Sequence, residues 1–87
     1  MAYQLIWTAE ADSDFKSIIF YLKEIWSLQS AEKFVNLVYK RLEKFAAMPT
    51  LGRPTTKASV YIFKIDRRNV LFFSVEQENI ILLSIYL

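Results

Sequence analysis

Residues Ser59–Leu87 read SVYIFKIDRRNVLFFSVEQENIILLSIYL, and this stretch decides the fold. It holds three runs rich in Val, Ile, Phe, Tyr and Leu, Ser59–Ile65, Val70–Val75 and Asn79–Leu87, cut by the polar links DRRN and EQEN. Branched and aromatic runs bounded by short polar links are strands. Links this short join neighbours, so the three form an antiparallel meander. Alternation is weak, above all in NIILLSIYL, which carries apolar side chains on both faces. One face needs a cover of helices, and the other needs cover as well.

Upstream, Met48–Thr56 (MPTLGRPTT) contains both prolines and the single glycine of the chain and reads as a loop. Before it the period changes. Ala31, Phe34, Val35, Val38, Leu42, Phe45 and Ala46 recur at intervals of three and four, a helix with Ser30 as its cap and Pro49 as its stop. Ala11, Phe15, Ile18, Ile19, Leu22, Ile25 and Trp26 draw the same stripe on a preceding helix, which Thr8 caps and Glu10, Asp12 and Asp14 favour through the helix dipole. Ser27–Ser30 breaks the stripe, and so short a link makes the two helices an antiparallel hairpin. Tyr3–Trp7 is a first strand. The class is α+β: N-terminal strand, helical hairpin, three-stranded antiparallel meander, all one domain over 1–87.

Eighty-seven residues leave no room for a second core. Yet 54% of them are hydrophobic, with seven Phe, five Tyr and two Trp, more than a small sphere conceals, so an apolar surface for a partner is expected. The absence of Cys and His excludes thiolate nucleophiles, Ser-His-Asp triads, Cys-His dyads and His-ligated zinc, and no metal or other cofactor is expected. The first residues lack the basic start and unbroken apolar run of a signal peptide, and charges interrupt every apolar segment short of membrane-spanning length. A cytoplasmic protein without membrane contact is expected.

Charge is unevenly placed. Up to Pro49 six basic and six acidic residues cancel, whereas Arg53, Lys57, Lys64, Arg67 and Arg68 face only Asp66, which leaves +4 in sixteen positions. Guanidinium and ammonium groups donate to phosphate oxygens and stabilise developing negative charge, so these five are candidates for binding a target or a nucleic acid. A pair of Arg in a turn also serves simply as polar surface, and the aromatic residues Tyr61, Phe63, Phe72 and Phe73 beside them read as core before stacking platform. The charged faces of the two helices read as solvated surface.

Several segments carry a resemblance. IWTAEADSDFKSIIFYLKEIWS is similar to the opening of the RelE/ParE toxins, in which a strand ends in a small or polar residue, Ala and an acidic pair start a helix, and a YL pair precedes Trp. MPTLGRP resembles their Pro-x-x-Gly-x-Pro connection, and FKIDRRNVLFFSV with NIILLSIYL resembles their basic hairpin and last apolar strand. The match runs from Tyr3 to Leu87. It implies a toxin of a type II toxin-antitoxin pair that arrests growth until a cognate antitoxin neutralises it. The antitoxin is expected to lay a helix over the meander or hairpin, or to add a strand to a free edge, with acidic residues over Arg53–Arg68.

The family divides between ParE-like members, which poison DNA gyrase, and RelE-like members, which cut mRNA on the ribosome. Where the nucleases carry an Arg at the start of the second meander strand this chain has Asn69, and Arg68, one step away, faces the other side of a strand. The resemblance thus inclines to the gyrase poison, with the mRNA endonuclease and an inactive antitoxin-binding domain as alternatives, and no catalytic residue is assigned. Tyr86 stands near the place of a terminal aromatic that assists RNA cleavage, although a strand Tyr is more often packing. Family members usually continue past this point to a polar segment with another Arg.

Overall fold

A computed structural model describes residues 3–48 and 52–86. Strand β1 (Gln4–Trp7) leads into helix α1 (Ala9–Tyr21), a π-helical turn (Leu22–Trp26) and helix α2 (Leu28–Ala47). Four strands follow: β2 (Arg53–Pro54), β3 (Tyr61–Lys64), β4 (Val70–Glu76) and β5 (Asn79–Tyr86). They form one sheet in the order β1-β5-β4-β3-β2. The meander β3-β4-β5 is antiparallel, β1 lies parallel to β5 on one edge, and β2 lies antiparallel to β3 on the other. The expected hairpin and meander are thus embedded in a five-stranded sheet. Met48–Thr56, read as loop throughout, contributes β2, and its proline sits on an edge strand, where a missing N–H is tolerated. The expected helix stop at Pro49 and the last strand residue, Leu87, lie outside the described residues.

Both helices cover one face of the sheet. Phe15, Ile18, Phe34, Val38, Leu42 and Phe45 meet Phe63, Ile65, Leu71, Phe73, Ile80 and Leu82 in one core. Burial of each large side chain contributes about 1.5–3 kcal/mol. The Phe45 ring stacks on Phe63 at 4.5 Å and meets Phe73 edge-on at 4.6 Å. Thr8 ties α1 to the sheet: its Oγ1 accepts from the Ala11 N–H at 3.1 Å as the cap and donates to the Leu82 carbonyl at 2.6 Å. Asp14 does more than favour the dipole, because its carboxylate accepts the Ile85 N–H at 3.0 Å.

Two irregularities explain where the sequence patterns break. Phe72 pairs with Ser84 but Phe73 pairs with Leu82, so Leu83 is an extra residue in β5. This bulge lets Leu82 and Ile85, three apart, both point into the core. The second irregularity ends the first helix. The Ser27 N–H donates to the Leu22 carbonyl at 2.9 Å, five residues back, and the added residue turns the chain by about 100°. Ile25 and Trp26, placed by spacing on the buried stripe, are instead 64% and 62% exposed. Ser27, not Ser30, caps α2, its Oγ accepting the Ser30 N–H at 3.0 Å. With Phe20, Tyr21 and Leu28 also exposed, the closed end of the hairpin carries a cluster of bare apolar side chains. No described helix is long and apolar enough to cross a membrane.

Candidate functional site

A strongly basic concavity lies where the C-terminal half of α2 passes the outer edge of β3. Arg41, Lys44, Arg53, Ile62, Phe63, Lys64 and Val70 line a groove of about 460 Å³. Local geometry brings its cations together. Arg41 and Lys44 are three apart on α2 and share a helix face. Ile62 and Lys64 alternate onto one face of β3, and the β2 register sets Arg53 opposite Ile62. Four cations therefore border one hollow with no carboxylate among the lining residues.

Arg41 is the most constrained of them. Its Nη2 donates to the Lys64 carbonyl at 2.9 Å, and its guanidinium carbon lies 5.2 Å from the centroid of the Phe63 ring. The ring holds the cation through its quadrupole, and Phe45 backs the ring. Arg41 Nε is buried and has no hydrogen-bond partner among the described residues. The one ion pair of the described residues, Lys16–Asp12 at 2.9 Å, is on α1, so no groove cation is neutralised. There the Asp12 carboxylate raises the Lys16 pKa above its ordinary value, first through the hydrogen bond and then through charge.

The residues singled out in the sequence divide. Arg53 and Lys64 enter the groove. Lys57 is exposed in a turn in which its N–H donates to Thr55 Oγ1 at 3.2 Å. Arg67 is exposed, and Arg68 borders a different depression, beside Tyr21, Lys33 and Phe34. The Arg67-Arg68 pair and the Arg53–Lys64 pair thus do not converge on one groove. Tyr86 pairs in register with Val70, which pairs with Lys64, so it sits about 10 Å across the same sheet face. Its ring packs edge-on to Phe72 at 5.3 Å. Phe63 and Phe73, weighed for base stacking, are buried core rings. Arg41 and Lys44, read as solvated helix surface, are the residues that sequence reasoning missed. Their spacing of three was the available signal, but it does not reveal which strand edge the helix passes.

Asn69 is only 5% exposed. Its Nδ2 donates to both oxygens of Asp66, at 2.9 and 3.1 Å, and Asp66 Oδ1 also accepts the N–H groups of Arg68 and Asn69. Asp66, the single acid of the basic segment, is thereby committed to closing the β3-β4 turn. Asn69 is a turn-fixing amide and carries no cation to the surface.

Comparison with known proteins places this architecture. The family described as ParE toxin of type II toxin-antitoxin system, parDE, matches residues 5–86. No curated protein sequence matches. Among solved structures, a chain of the chromosomal ParDE toxin-antitoxin system from P. aeruginosa is 22% identical with a TM-score of 0.86, covering 98% of this chain and 95% of that one. The YoeB dimer from Staphylococcus aureus gives 16% identity and 0.69 over 100% and 98% of the two chains. The RelBE2 complex from Mycobacterium tuberculosis gives 11% and 0.69 over 99% and 98%. At these identities the structures speak for the fold, and the family match over nearly the whole length speaks for kinship. The chain belongs to the ParE toxins of type II toxin-antitoxin systems, the toxin half of a pair whose other half is a cognate antitoxin.

Proposed function

We propose that this toxin acts on DNA gyrase, as ParE-like members of the family do, and is not an mRNA endonuclease. The observation that carries the reading is the state of Asn69. The position at which the nucleases present an Arg holds a buried amide clamped to Asp66, so no guanidinium stands there to meet a scissile phosphate. Its nearest substitute, Arg68, borders the hairpin depression and not the basic groove. Loss of a fixed donor at a developing oxyanion costs an enzyme on the order of 10²–10³ in rate, which a cation elsewhere does not restore.

Inducible expression without antitoxin tests this reading in cells. Growth arrest accompanied by DNA breaks and a DNA-damage response is expected, with protein synthesis continuing at first. Immediate loss of translation with cut messages and intact DNA would replace it with the nuclease reading. Unimpaired growth would leave an inactive antitoxin-binding domain.

A further inference from the structure

We infer that the groove of Arg41, Lys44, Arg53 and Lys64 is a binding site for the phosphodiester backbone of a nucleic acid, organised around Arg41; the inference rests on the gyrase reading, in which that backbone belongs to DNA. Four cations with no ion-pair partner among the described residues face one hollow and repel each other, and a polyanion relieves that repulsion. Arg41 adds direction to charge. The Phe63 ring and the Lys64 carbonyl already fix its guanidinium, so little side-chain freedom remains to be lost on binding. Only Nη2 of that guanidinium is engaged among the described residues, and the other terminal nitrogen, Nη1, keeps its donors for a ligand. A phosphate offers several acceptor oxygens to a planar fork of this kind.

The other polyanion at hand is an acidic peptide. The simplest way for a peptide to dock on a sheet edge is to add a strand. Here the Arg41 side chain already holds the Lys64 carbonyl, on the strand edge that lines the groove, so a peptide strand would have to displace it. A phosphodiester needs no backbone ladder and uses the cations as they stand.

The test uses the full-length toxin freed of antitoxin and a fluorescent 16-base-pair DNA duplex, followed by anisotropy across a salt series. With four phosphates neutralised, affinity falls roughly 100-fold between 50 and 200 mM salt. Lys44→Ala with Arg53→Ala, both on exposed side chains, lowers the slope of log affinity against log salt by about two. Arg41→Lys keeps the charge but loses the fork, and weakens binding at fixed salt with the slope unchanged. Arg67→Ala with Arg68→Ala has a smaller effect than the groove pair. Circular dichroism and melting temperature confirm that each variant is folded.

Single-stranded RNA of equal length serves as a second arm, and its tighter binding would move the phosphodiester from DNA to RNA and overturn the assignment to DNA. Equal loss in the Arg67/Arg68 variant would overturn the site, and so would a groove variant that binds like the parent or preferred binding of a poly-glutamate peptide. Gyrase inhibition is scored separately on the same proteins. If the groove variant binds DNA like the parent and still poisons gyrase with unchanged potency, the groove inference fails while the gyrase reading stands. If the parent binds DNA through the groove without affecting gyrase, that reading fails and the phosphodiester site stands.

Discussion

Replacing Gly52 with Ala presses one methyl group against the core and, through it, against the groove. A Cβ built on Gly52 would lie 2.3 Å from Phe73 Cζ and 2.6 Å from its Cε1, against about 3.5–4.0 Å for ordinary carbon contact. The ring would have to retreat by more than about 1 Å. It has nowhere to go, because Phe73 is 1% exposed, with Phe45 edge-on at 4.6 Å and Tyr61 stacked at 5.6 Å. Overpacking of this kind costs about 1–3 kcal/mol. The stiffer unfolded chain offsets about 0.4–1 kcal/mol of that. The net loss of up to about 2.6 kcal/mol lowers the melting temperature of a domain this size by as much as roughly 10–20 °C. Urea unfolding of the refolded toxin, followed by tryptophan fluorescence, measures the loss. The contact is isolated by a cycle with Phe73→Leu, which removes the obstructing ring atoms: in that background Gly52→Ala should cost at least about 1 kcal/mol less. Because Gly52 precedes Arg53, the same substitution should also weaken anion binding at the groove. A cost of Gly52→Ala that is the same in the Phe73→Leu background as in the parent would mean that the chain at Gly52 does not lie against Phe73 and would refute the reasoning.

Other outcomes follow from the same structure. Asp66→Ala strips the acceptor from two backbone N–H groups and from the Asn69 amide, and denaturant titration should register a loss of about 2–3 kcal/mol. Thr8→Ala removes the α1 cap together with its bond to Leu82 and should cost about 1–2 kcal/mol by the same measurement. Ile25→Ser and Trp26→Ser, which the bare helical stripe would place in the core, should each change stability by no more than about 0.5 kcal/mol, since the π-helical turn leaves both side chains exposed. Gln77, held at φ 57° in the β4-β5 turn, should tolerate Gly with a gain of up to about 1 kcal/mol, read as a higher melting temperature.

Much of this architecture was legible in the sequence because its determinants are local. The stripes of α1 and α2, the Thr8 cap and the three apolar runs each announce themselves within a dozen residues. What stayed hidden depends on partners distant in sequence. β2 is two residues long and becomes a strand only because β3 lies beside it. The bulge at Leu83 converts a poor alternation into a good core, which no period of two anticipates. Ser27 takes the cap expected of Ser30, and Ile25 and Trp26 leave the core, because the helix gains one residue in its last turn. The basic site was half visible: Arg53 and Lys64 stood out by local charge excess. Arg41 and Lys44 did not, since a charged helix face is ordinarily solvated surface and only the packing of α2 along β3 turns it into one wall of a groove.

Purified gyrase confronts the functional account most directly. The freed toxin, incubated with gyrase, ATP and supercoiled plasmid, should trap double-strand breaks that appear as linear DNA after detergent and protease, and its antitoxin should suppress them. A toxin that leaves gyrase untouched and instead cleaves messenger RNA bound in the ribosome would contradict gyrase poisoning.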